Sequence, residues 1–169
     1  LINIELDNNY KKYLYDREVT KVQIHKYDIG YCHTGVYSNR IVIPIYNKDN
    51  IVALVSRYIG SNSTIKRYLN DPGSKLHNYI YPELQLDTKK IILVEGLFDL
   101  FRVEKFVMDM GLNIEVCCVF GTKLSEFQVR ELDLVDEMFV ISDRDDSAPF
   151  SLVDMRIKDL LEILMCMML

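Results

Sequence analysis

Ile91-Ile-Leu-Val-Glu-Gly-Leu-Phe-Asp99 decides how the chain is read. Four apolar, mostly β-branched residues form a short strand buried on both faces, and an acid and a glycine follow at once. Leu97, Leu100, Phe101 and Phe106 then recur at helical spacing over 97–110, with Gly111 placed as a C-terminal cap. The same rhythm repeats downstream. An apolar run at 116–120 precedes a helical pattern at 125–132, with Ser125 as its N-cap. A third run at 138–141 is followed by Asp143-Arg-Asp-Asp146 and a helical segment at 151–164. Apolar strands alternating with helices predict an α/β unit with a parallel sheet covered on both sides.

The front half has a different rhythm. Asn8 or Asn9 caps a predicted helix carrying Tyr10, Tyr13 and Leu14 at helical spacing. Residues 40–46 and 51–55 read as a hairpin around the turn formers 47–50, with Pro44 at an edge or a bulge. Residues 60–75 read as loop, and 79–81 as a short strand. The expected organisation is therefore a smaller α+β subdomain at 1–86 and a parallel α/β domain at 87–169. The chain begins with Leu and stops just after the third helical segment, as expected of a piece of a longer protein, cut inside its second domain.

In 169 residues, 49% are apolar and 27% charged, the balance of a globular protein with its own core. The longest apolar stretch, 160–169, is interrupted by Glu162 and is too short to span a bilayer, so no membrane association is expected. Residues 1–86 hold 11 Lys/Arg against 8 Asp/Glu, and residues 87–169 hold 9 against 17. A basic front and an acidic back suit a protein that grips an anion and holds cations, although acidic helices facing solvent give the same count. Cys32, Cys117, Cys118 and Cys166 show neither disulfide nor zinc spacing, so no zinc and a reducing, intracellular setting are expected. His25, His33 and His77 lack partner spacing and read as structural or surface residues.

Both acidic clusters follow apolar strands directly, at the strand ends where open parallel sheets bind ligands. Asp143 and Asp145, two apart in extended chain, can share one ion, and Gly96 leaves room beside Glu95. Oxygen donors of this kind suit Mg²⁺ or Mn²⁺. Each cluster alone reads equally well as a solvated turn or as a helix N-terminal acid. Their joint placement favours the metal reading.

Val94-Glu-Gly-Leu-Phe-Asp99 resembles the glutamate motif of Toprim domains, and Ile141-Ser-Asp-Arg-Asp-Asp-Ser-Ala148 resembles their Asp-x-Asp motif. Phe120-Gly-Thr-Lys-Leu-Ser125 resembles the Gly-Thr-x-x-Ser segment of the primase branch. In the front half, Tyr13-Leu, Ile29-Gly-Tyr, Asn39-Arg-Ile-Val-Ile-Pro-Ile45, Ser56-Arg57 and Lys66-Arg-Tyr-Leu-Asn70 resemble, in order, the N-terminal part of bacterial-type (DnaG-like) primase catalytic cores.

That resemblance implies a Toprim-type parallel sheet flanked by helices, and DNA-directed synthesis of RNA primers by metal-dependent nucleotidyl transfer. It implies Glu95, Asp143 and Asp145 as catalytic residues binding Mg²⁺ or Mn²⁺, with Asp99 as a further ligand. It implies a basic ridge of Arg40, Arg57, Lys66, Arg67, Tyr68 and Asn70 for template or nucleotide. The partners implied are single-stranded DNA, ribonucleoside triphosphates and a replicative helicase met through regions outside this chain. The expected setting is the cytoplasm of a bacterial or phage-infected cell, or an organelle. Two other readings share the acids: a Toprim nuclease or topoisomerase fragment, and a non-catalytic module that binds nucleic acid and metal.

Overall fold

A computed structural model of the chain describes residues 7–85, 87–121 and 123–141. Asp143, Asp145, Thr122 and the helical segment expected at 151–164 lie outside the described residues. The described chain forms two compact units, divided between Leu76 and His77. No helix among the described residues is long and apolar enough to cross a membrane.

The first unit opens with helices α1 (Asn8–Tyr15) and α2 (Lys21–Lys26). The cap of α1 is Asp7, whose side chain accepts from the Asn9 amide, and not Asn8 or Asn9 as the spacing suggested. Strands β1 (Gly30–Cys32), β2 (Arg40–Asn47), β3 (Asn50–Tyr58) and β4 (Tyr68–Asn70) follow, all antiparallel to their neighbours in that order. β2 and β3 form the expected hairpin. Lys48 and Asp49 both have positive φ, the signature of the tight turn whose twist matches that of paired strands. The register slips by one between Ile45 and Tyr46, beside Pro44. β1 pairs only with residues 40–42, so Pro44 has a strand partner on one side alone and interrupts no ladder there.

Alternation along β2 puts Ile41, Ile43 and Ile45, each 0–1% exposed, on one face of the sheet. α1 covers that face. The Tyr10 ring stacks on Tyr31 at 4.3 Å between centroids, and Tyr31 is paired with Ile41.

The second unit is parallel. β5 (Lys90–Val94) lies between β6 (Glu115–Cys118) and β7 (Glu137–Ile141), with α3 (Leu97–Asp109) and α4 (Glu126–Leu132) as the connecting helices. Ile91 to Val94 are all 0–1% exposed, so both faces of β5 are covered. On one face Ile91 and Leu93 join Ile80, Cys117, Val119 and Val140, with Leu132 of α4 packed alongside. Gly111, at φ +63°, ends α3. Its amide donates to Met108 and that of Leu112 donates to Val107, the paired bonds that close a helix through a left-handed residue.

Residues 79–81 belong to this unit and not to the first. Tyr81 and Cys118 exchange backbone hydrogen bonds in an antiparallel bridge. Gln128, fully buried on α4, donates from Nε2 to the carbonyls of Tyr79 (2.8 Å) and Val119 (3.0 Å), and its Oε1 accepts from the Ser125 amide (3.0 Å). One side chain thus ties the helix cap, the end of β6 and the entry segment together. Gln128→Leu strands all three backbone groups in the interior. Chemical denaturation is expected to show a loss of about 2–4 kcal/mol. A loss below about 1 kcal/mol contradicts this role.

Candidate functional site

Glu95 stands one residue past the end of β5, half-buried, at the edge where the strands finish. Gly96 is the N-cap of α3 at φ −136° and ψ 166°, ordinary extended backbone. Glycine is therefore not needed there for a sharp turn. The position is close to a carboxylate: a Cβ at Gly96 would lie 3.3 Å from Asp99 Oδ2, a tight contact that the Asp99 side chain would have to yield to. Asp99 occupies the first turn of α3, where the helix dipole favours a carboxylate. It also lies close enough to β6 to act on Cys118. That thiol is pushed well above its ordinary range, first by complete burial, then by Cys117, with the Asp99 charge adding to both. Cys118 is thus a neutral packing group and no nucleophile.

β5 and β7 are parallel neighbours, and Val94 is paired with Ile141. Glu95 is therefore the residue that follows Val94 at the edge where β7 also finishes with Ile141. Asp143 and Asp145 lie outside the described residues. Among the described residues no group of three or more His, Cys, Asp or Glu could hold a metal ion.

The basic residues of the first unit fall into two sets. Cross-strand register forms the row Tyr31–Ile41–Arg57–Tyr68 on the face that α1 covers. The neighbouring row, Cys32–Arg40–Tyr58, points to the opposite face. Arg57 is half-buried between two tyrosines. Its Nε donates to the Tyr13 hydroxyl at 2.5 Å, and its guanidinium carbon lies 4.7 Å from the Tyr68 ring centroid. Burial works against its charge, but bonds to Tyr13 and Tyr68 outweigh that and leave its pKa raised. Arg17 lies 3.7 Å over the Tyr13 ring, so cations and aromatics alternate as Arg17, Tyr13, Arg57, Tyr68.

Lys66, Arg67, Tyr68 and Asn70 are exposed, and Asn70 shares the Tyr68 face by alternation. Arg40 is only 4% exposed and donates to the carbonyls of Lys66 and Arg67. Sequence reading passed over Tyr13 and Arg17 as site residues. Their spacing of four was the available signal: Tyr13 is on α1 and Arg17 is in the turn just past its C-cap Asp16, where a residue four further on can still reach back over the ring. Tyr13→Phe keeps the ring under Arg17 but removes the oxygen that Arg57 binds. It is expected to cost about 1–2 kcal/mol in denaturant titration, as befits a half-buried charge-assisted bond. An unchanged midpoint contradicts this.

No family model matches the chain. It is 30% identical over 156 aligned residues to a DNA primase of Rickettsia prowazekii (strain Madrid E), covering 83% of this chain and 25% of that protein. The solved structure of the DnaG catalytic core superposes with a TM-score of 0.68 at 15% identity, over 83% of this chain and 56% of that one. The chain resembles a bacterial-type primase core in sequence and in fold. It spans a quarter of the length of the primase it matches and little more than half of the solved primase core. The expected mixed α/β architecture, with its parallel sheet and flanking helices, is that of the primase core.

Proposed function

We propose that this chain is the catalytic part of a primer-synthesising primase, joining ribonucleotides on a single-stranded DNA template. The observation that carries the proposal is the primase likeness itself. It runs through 83% of the chain, too long to lie within either unit alone, so it reaches into both the basic unit and the acidic one.

The second unit is read as a Toprim domain, in which Glu95, Asp143 and Asp145 hold Mg²⁺ or Mn²⁺ and Asp99 assists. The described donors suit such an ion in chemistry: Glu95, just past the end of β5, and Asp99, in the first turn of α3, offer hard carboxylate oxygens. When bound, the ion supplies charge neutralisation for the triphosphate and the leaving pyrophosphate, and acidifies the attacking hydroxyl. The chain's own residues do the rest. Lys66 and Arg67 offer exposed cations to phosphate, and Tyr68 offers a ring face on which a base can stack. Arg57 is held by Tyr13 and keeps that ring in place from beneath. A replicative helicase, met through other regions of a full-length protein, and a cytoplasmic setting belong to the same proposal.

The test is incubation with labelled ribonucleotides, Mn²⁺ and a single-stranded template. Short RNA products that disappear on chelation are the expected result. Cleavage of labelled DNA in place of synthesis turns the reading to a nuclease. Oligonucleotide binding without either product, with metal binding intact by calorimetry, turns it to a non-catalytic module.

A further inference from the structure

Arg40 begins β2 and faces away from the row that holds Arg57 and Tyr68. Its Nη2 donates to the Lys66 carbonyl at 2.8 Å and its Nη1 to the Arg67 carbonyl at 3.3 Å. The Arg67 carbonyl also accepts from the Tyr58 amide at 2.8 Å, so Arg40 and the strand end close the base of the 59–67 loop together. The hydrogen bonds at the tip are local: the Thr64 amide and hydroxyl both donate to Asn62 Oδ1. Tyr58 lies between the two structures. The Arg40 guanidinium carbon is 5.5 Å from its ring centroid, and a Cβ on Gly60 would collide with its hydroxyl. The loop is thus folded against Tyr58 and pinned from below by a guanidinium. A guanidinium presents a rigid fork of donors, so two successive carbonyls held on it fix the peptide planes on both sides of Arg67, 66–67 and 67–68. Those planes set where the exposed side chain of Arg67 leaves the backbone, and the first of them also bounds that of Lys66.

We infer that Arg40 is a positioning residue: it makes no contact with nucleic acid, and it orients Lys66 and Arg67 toward phosphate. The inference rests on the nucleic-acid reading of the preceding section. It differs from the ridge-contact role that resemblance implied for Arg40, because a side chain 4% exposed has no surface to offer a strand.

A double-mutant cycle on the full chain separates these roles. The probe is a dye-labelled oligo-dT, and fluorescence anisotropy is followed across a salt series. Arg40→Gln is expected to weaken binding and to flatten the log–log salt dependence by up to about 0.7 per misplaced phosphate contact. In a Lys66→Ala/Arg67→Ala background, the same change is expected to alter neither quantity, because the groups it acts through are gone. Arg40→Lys, which keeps the charge but not the fork, should match Arg40→Gln and guards against a folding defect, checked by thermal melting. Faster hydrogen exchange over 59–67 at unchanged Tm is the accompanying sign. Equal losses in both backgrounds overturn the inference, since Arg40 would then touch the strand itself, and so does an unaffected Arg40→Gln. A parent chain that does not bind oligo-dT brings down the nucleic-acid reading, and the inference falls with it.

Discussion

Glu95→Ala is expected to leave under about one hundredth of the metal-dependent product formation while the thermal midpoint moves by only a few degrees. The scale comes from what lesser changes do: removing a group that merely supports a metal ligand commonly costs about 10–100-fold, and a direct ligand should cost at least that much. The fold should survive because Glu95 is only half-buried, lies past the end of β5, and adds nothing to the apolar faces of Ile91–Val94. Asp143→Ala is expected to match it, and the double variant should do little more damage than either alone, since residues that hold one ion act as a unit. Raising Mn²⁺ should partly rescue the single variants if affinity is what was lost. Full activity in both single variants removes the proposed metal site.

Tyr68→Ala is expected to weaken binding of single-stranded oligonucleotide by about 1–3 kcal/mol, roughly 5- to 150-fold, with little change in salt dependence. Stacking on a ring face involves no released counterion, so only the intercept should move. Tyr68→Phe keeps the face and should bind nearly as the parent does. Arg67→Ala should show the opposite pattern, a shallower salt slope with a smaller loss at high salt. The side chains support this division: Tyr68 is 44% exposed above Arg57, whereas Arg67 stands in the loop before β4. Equal salt slopes for Tyr68→Ala and Arg67→Ala would refute it.

Much of this architecture could be read from residues alone, for physical reasons. Ile91–Val94 and Val116–Val119 are apolar without alternation because parallel strands under helices have no wet face. Ser125 and Gly111 announced helix ends because their side chains, or lack of one, do a specific job there. The short helix α2 was missed, although Thr20 and Gln23 carry the reciprocal cap that marks such starts. The turn at Lys48-Asp49 was legible, but which face each arginine takes was not. Facing depends on how two strands are paired, and pairing is a property of tertiary structure that no single strand's pattern records. For the same reason the basic residues read as one ridge in sequence and separate into two sets in space.

The slip between Ile45 and Tyr46 has a charge consequence. Asn47 is paired with Asn50 and Tyr46 with Ile51, but Ile45 is paired with Ala53, so Val52 is a supernumerary residue in the hairpin. Without it, the count outward from the turn would bring Arg40 directly opposite Arg57, two like charges side by side on one surface. The extra residue offsets the two strands by half a pleat and sends the guanidiniums to opposite sides. One becomes an internal brace and the other the floor beneath an exposed tyrosine. A single-residue deletion at Val52 would therefore do more than shorten a strand: it would set the brace and the floor in competition for the same side of the sheet.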